Sequence, residues 1–324
     1  MWEWGLAAEA RRFRSRFATI AAALALACGA VGCGDGAAGG DGAVQQSGQA
    51  AITVTSRNYP EEEVLREIYA QSLEAAGFEV RRRELRRGTL APEELEAGRV
   101  DGYPDHLETA LTEATPLDVD DVPTSARAAG ERLRRQFQGA GLVPFPPASF
   151  VRTTAIGIPR EAAERQGIET LSDLKGPARG MGAIVRELYC HGRANCLGGL
   201  ERDYGIVFET FAAISLLEPS ALLYEALQTG RADAAVLITT EGELADGKKW
   251  LTLLEDEHRL PAANAFWMTS QEAVEEAGPA YEKAILAAQE GLTLQVMREL
   301  DAEVELEGRS PSKVAARYLR SKSR

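Results

Sequence analysis

Residues Ala51 to Leu85 read AITVTSRNYPEEEVLREIYAQSLEAAGFEVRRREL, and this stretch decides the fold. AITVT is a short β-rich run, and FEVRRREL alternates again after Gly77. Between them, Val64, Leu65, Ile68, Tyr69, Leu73 and Ala76 repeat at the spacing of one helix face. Pro60 suits a first helical turn because its missing N–H would find no partner there, and Glu61, Glu62 and Glu63 favour the positive end of the helix. The stretch therefore predicts strand, helix, strand, the start of an α/β domain with a parallel sheet.

Two later segments repeat one idea. PEELEAGRVDGYPD and YEALQTGRADAAVLITT each run from a helical pattern through Gly-Arg, one residue and Asp into a strand. They predict two lobes of similar build, each placing a ligand loop at the carboxyl end of a strand, where open α/β sheets bind ligands. Pro144, Pro146 and Pro147 mark the passage between lobes. Beyond it, TAIGIPR, WLTLLEDE and NAFWMT read as strands. Helical stretches over Gln271–Leu300 and Ser310–Arg320 are expected to pack back on the first lobe.

The 324 residues carry a formal charge of −13, which disfavours a non-specific nucleic-acid binder. Basic residues gather at the start instead. Arg11, Arg12, Arg14 and Arg16 precede the apolar run ATIAAALALACGAVGC, the pattern of an export signal and too short for a spanning helix. Small residues before Cys28 and Cys33 resemble a lipobox, and Cys33 is the preferred lipidation site. Residues 1–33 are thus read as signal peptide and the Gly-rich 34–50 as a flexible tether. In the exported remainder, Cys190 and Cys196 of YCHGRANC are expected to form a local disulfide. A metal site using these with His191 lacks a fourth ligand. No nucleophile elbow, zinc-protease motif or phosphate loop is found, so no catalytic residue, cofactor or metal is expected.

Six blocks, SRNYPEEEVLREIYAQSLEAAGFEV, LEAGRVDGYPDHLETALT, GLERDYGIVFE, LLYEALQTGRADAAV, TTEGE and MRELDAEVELEGRSPSKVAARYL, together resemble the substrate-binding proteins of glycine betaine, choline and carnitine ABC importers. The resemblance runs from about Ile52 to Leu319. It implies a type II periplasmic-binding-protein fold, two α/β lobes with a ligand cleft between them closed by hinge motion. Lobe 1 is expected over 51–152 and 244–324 and lobe 2 over 153–243. It further implies a monomeric receptor that carries an osmoprotectant-like solute, such as glycine betaine or choline, to an ABC permease. The receptor would be lipid-anchored on the outer face of the cytoplasmic membrane, or periplasmic.

Members of this family hold a trimethylammonium group in a cage of tyrosine faces. Here the cage is depleted. The tyrosine of the family's YPEYTGTA block falls at His106, that of NTYA at Thr154, and that of YSTDG at Ile238; Tyr224 of LLYEAL remains. Tyr59 stands where Phe is frequent, and Tyr103 begins the same loop as His106, the YPDH ligand loop of the first lobe. Arg57 and Arg152 stand where the family has Lys and Asn, and an arginine fork suits a carboxylate. Thr109, Thr154 and Thr240 complete the expected ligand-contacting set. A more anionic or polar solute, or a sensor or scaffold of the same fold, are the alternatives. Phe266 and Trp267 either rebuild an aromatic wall or fill the first core.

Overall fold

The computed structural model describes residues 51–322 apart from 87–88, 114–116, 119–120, 187–189, 191–195 and 216–217. The chain forms, in order, β1 (Ile52–Val54), α1 (Pro60–Ala75), β2 (Val80–Arg82), α2 (Ala91–Glu96), β3 (Gly102–His106), α3 (Leu107–Glu113), α4 (Ala126–Phe137) and β4 (Leu142–Pro144). There follow β5 (Thr154–Pro159), α5 (Arg160–Gln166), β6 (Gly182–Arg186), α6 (Leu197–Gly199), β7 (Thr210–Ile214), α7 (Ala221–Gln228), β8 (Ala234–Ile238) and β9 (Leu251–Leu254). Last come β10 (Ala265–Ser270), α8 (Gln271–Ala277), α9 (Pro279–Gln289), α10 (Leu294–Glu305) and α11 (Pro311–Lys322).

The strands make two five-stranded sheets, β2-β1-β3-β10-β4 and β7-β6-β8-β5-β9. Each has a parallel trio, then an antiparallel fourth strand, then a fifth strand antiparallel to the fourth. The repeated pattern of the sequence is therefore a repeated sheet plan. The segment Tyr103–His106, expected as a loop, is the body of β3. Pro104 fits there because Gly102 O accepts from Thr55 N, which turns the position-104 nitrogen toward β1 just where β1 pairing stops.

Alternation along β10 sends neighbouring side chains to opposite faces. Trp267 joins the core under α1 and α9–α11, its ring 4.6 Å from that of Tyr69, while Phe266 joins the core with α3 and α4. Both are fully buried, so they fill the first lobe rather than form a wall for a ligand. The helical stretch expected over Gln271–Leu300 is three helices, broken at Gly278 and before Thr293.

The chain crosses between sheets over residues 145–153 and returns over 255–264, and the two crossings touch through the Val151–Asn264 bridge. Asn264 steadies them, donating to Ala148 O at 3.1 Å and Phe150 O at 2.9 Å. The second lobe extends past the expected boundary at 243, because β9 pairs with β5 in the second sheet. Helix α1 packs against α9, α10 and α11, and α10 also reaches a 3-10 turn of the second lobe, Gly242–Leu244. There, a Cβ at position 242 would lie 2.5 Å from the Ala302 backbone nitrogen, so only glycine permits this approach. Cys190 and Cys196 are joined by a disulfide, with Cα atoms 5.5 Å apart. Cys28, Cys33 and His191 lie outside the described residues.

Candidate functional site

The carboxyl end of β1, the start of α1, the end of β3, the first crossing and the segment after β8 bring charged groups together. Glu61 is their centre. Its carboxylate lies 2.8 Å from His106 Nε2, accepts from Thr240 Oγ1 at 2.5 Å and pairs with Arg152 Nε at 3.4 Å. Glu62 accepts from Arg57 Nη1 at 2.8 Å, from the Arg57 backbone at 2.9 Å and from the Tyr59 hydroxyl. Asp105 accepts from the same Arg57 Nη1 at 2.8 Å, and Glu113 accepts from Nη2 at 3.1 Å. The Arg152 guanidinium sits 5.7 Å from the Tyr59 ring centre, within cation–π range.

Burial works against charge on His106, yet its hydrogen bonds to Glu61 and Glu62 push it up to about 9. Burial likewise opposes ionisation of Glu62, but His106 and Arg57 hold it down to about 2. Glu61 is also lowered, against burial, by His106, Arg152 and Thr240. With His106 protonated, the buried acids Glu61, Glu62 and Asp105 meet three cations, Arg57, Arg152 and His106, and such pairing is the condition under which buried ions persist; burial still pushes Asp105 up, and the exposed Glu113 adds a further acid on Arg57.

Tyr224 lies in the second lobe's core, and its hydroxyl donates to Glu241 at 2.7 Å. Burial raises Glu241 to about 7 although Tyr224 and the Ile238 amide favour its charge. Lys248 stands 5.6 Å from the Tyr224 ring centre. Thr154 and Ile238 are register partners on β5 and β8. Two of the positions where the family resemblance puts a ring thus form one cross-strand pair.

Of the nine expected contact residues, Arg57, Tyr59, His106, Arg152 and Thr240 share this one network. Tyr103 is packed in the first lobe's core with Leu107 and Leu133, and Thr109 is half-buried on α3, where it donates to Glu108 at 3.3 Å. Arg57 and Arg152 already hold carboxylates, which removes the argument from free arginine forks to an anionic solute. The sequence reading missed Glu61, Glu62 and Asp105: acids at the start of α1 read as complements to the helix dipole, and nothing local says that they turn inward. Glu62, Asp105 and His106 offer atoms within 4.8 Å of one another, the spacing of a metal site, but Arg57 lies on both carboxylates. A cavity of about 770 Å³ lies at the opposite end of the first sheet, lined by Ala51, Asp101, Phe137 and Gln271, and shares no residue with the network.

Among the described residues, few buried polar atoms lack a partner. Ser56 Oγ, Thr153 Oγ1, Arg186 Nε and Asp301 Oδ1 are four of them, and the first three sit at or beside the ends of β1, β5 and β6. Unsatisfied buried atoms are costly unless something else meets them.

Comparison with known proteins agrees with the two-lobed α/β fold. A curated glycine-betaine-binding protein of Pseudomonas aeruginosa is 27% identical over 277 residues, 83% of this chain and 87% of that one. A crystal structure titled glycine betaine/carnitine/choline ABC transporter matches with a TM-score of 0.72 at 20% identity, covering 83% of this chain and 98% of that one. The apo structure of YehZ from Escherichia coli matches with a TM-score of 0.66 at 22% identity, covering 84% and 99%. These structures share the two-lobed fold. The family model described as the substrate binding domain of ABC-type glycine betaine transport systems spans residues 50–321, and to that family this chain belongs.

Proposed function

We propose that this chain is the extracytoplasmic solute receptor of an ABC importer, closing its lobes on a small quaternary-ammonium osmolyte of the glycine betaine and choline class and presenting it to a permease without chemistry. One observation carries the reading. In a chain of this family, Tyr59, His106 and Arg152 converge through Glu61 and Glu62 on Thr240 of the opposite lobe. The Tyr59 face that receives Arg152 can receive an ammonium group instead, because either cation is drawn by the ring quadrupole.

We assign solute contact to Tyr59, His106, Arg152, Thr154, Tyr224 and Thr240. Arg57, Tyr103 and Thr109 frame them. Cys33 is the proposed lipid anchor, with 34–50 as the tether of a monomeric receptor. The Cys190–Cys196 disulfide supports an oxidising compartment, and no helix among the described residues is long and apolar enough to cross a membrane.

Thermal denaturation and calorimetry with glycine betaine and choline test the proposal. A solute at a hundred times its dissociation constant stabilises the folded state by about 2.7 kcal/mol and raises Tm by several degrees. No shift with any quaternary-ammonium solute at millimolar concentration removes the reading.

A further inference from the structure

The three cations of the network are held unequally. Arg57 donates to Glu62, Asp105 and Glu113, and His106 is 2% exposed between Glu61 and Glu62. Arg152 is held by less. Among the described residues its guanidinium has one ion pair, from Nε to Glu61 at 3.4 Å, and the face of Tyr59 at 5.7 Å, and its side chain is 29% exposed. Its backbone is fixed. The Arg152 amide donates to Ala263 O at 3.2 Å on the return crossing, and the next residue, Thr153, donates to Thr239 Oγ1 at 3.0 Å on the second lobe. The long side chain can therefore swing toward solvent while the crossing stays in place.

What Arg152 supplies is charge over a ring rather than a hydrogen bond, since 3.4 Å exceeds the usual N–H···O range. A quaternary ammonium offers the same three properties: unit charge, weak hydration and attraction to a ring face. Exchange of one for the other leaves Glu61 with its partners His106 and Thr240. It also keeps the charge count, because Glu61, Glu62 and Asp105 without Arg152 face only Arg57 and His106, one cation short. Around the guanidinium, Glu61, Tyr59, Glu62 and Glu108 favour its charge, and a protonated His106 opposes it. Glu108 stands on α3, so departure from the ring does not leave the guanidinium without an acid.

We infer that Arg152 is a built-in competitor for the solute: its guanidinium fills the cation seat between Tyr59 and Glu61 whenever solute does not, and must swing aside for solute to enter. The inference rests on the solute-receptor reading. Apparent affinity then falls by the fraction of molecules whose seat is free, and a seat filled in about nine molecules of ten weakens binding about tenfold. The displaced side chain still borders the bound solute.

The test is titration calorimetry of the full chain with choline and with tetramethylammonium, in the wild type and in Arg152→Gln, which keeps part of the stem and removes the charge. Both cations are expected to bind Arg152→Gln about tenfold tighter than the wild type. Methylguanidinium at millimolar concentration, the head of the missing side chain, is expected to compete with them in the variant more strongly than in the wild type. A purely structural role predicts the reverse, weaker binding once Arg152 is gone. A crystal structure of the wild type with choline gives a second reading that needs no variant, with the ammonium expected over Tyr59 and the guanidinium off the ring. Equal or weaker binding by folded Arg152→Gln, or a guanidinium still over Tyr59 with choline seated elsewhere, overturns the inference and leaves the receptor reading in place. Failure of choline and of glycine betaine to bind the wild type overturns that reading and this inference with it.

Discussion

Glu61 and Thr240, one on each lobe, meet across the seam at 2.5 Å. The bond ties the first turn of α1 to the chain just past β8, so the lobes are held by a carboxylate that also serves His106 and Arg152. Thr240→Val keeps the shape and removes the hydroxyl. It is expected to lower stability by about 1–2 kcal/mol and to expand the solute-free protein in small-angle scattering. An unchanged radius of gyration would show that this bond does not hold the lobes together.

His106 gives closure a pH dependence of defined sign. Its pKa is raised in the folded chain, from the ordinary 6.5 to about 9, so its stabilising effect is complete below about 6.5 and is lost as pH rises through 9. Urea midpoints measured from pH 6 to pH 9.5 should fall across that window, and His106→Gln should flatten the fall. A wild-type midpoint flat through the window would contradict the buried imidazolium.

Glu62 is wholly buried against Arg57 and His106. Glu62→Gln leaves Arg57 with Asp105 and Glu113 and removes one negative charge from the paired set. The expected cost is about 3 kcal/mol, read from urea denaturation at pH 7. The wild-type contribution runs the other way in pH from that of His106: it is present above about 4.5 and fades only as pH falls through about 2. A cost below about 1 kcal/mol at pH 7 would place Glu62 in solvent.

Gly242→Ala tests the contact of α10 with the second lobe. The added methyl would lie 2.5 Å from the Ala302 nitrogen and 2.8 Å from the Asp301 carbonyl carbon, both backbone atoms that cannot swing aside. Separation of the 3-10 turn from α10 is expected, with about 1–3 kcal/mol of lost stability and weaker solute binding. Wild-type behaviour in both measurements would mean that α10 does not hold the second lobe.

The two-lobed α/β plan was readable because hydrophobic spacing in Ala51–Leu85 and the doubled Gly-Arg-x-Asp pattern are local signals. The strand nature of Tyr103–His106 was not, since Pro104 reads as a loop residue until its neighbour β1 is seen to end. Boundary 243 failed for a similar reason: β9 belongs to the second sheet only by pairing with β5, a long-range fact. In the site, Tyr59, His106, Arg152 and Thr240 were marked by resemblance. Their partners Glu61 and Asp105 were not, because a carboxylate's inward turn depends on which cations the fold brings to it.

The place of β10 also bears on the order in which the molecule takes shape. The second sheet is complete between Thr154 and Leu254, whereas the first takes Ala265–Ser270 between β3 and β4. A chain emerging amino end first can finish its middle portion while its opening third still lacks a central strand and the helices that cover it. Loss of the last helices would therefore leave one half assembled and the other exposed, a route to aggregation rather than to a smaller working receptor.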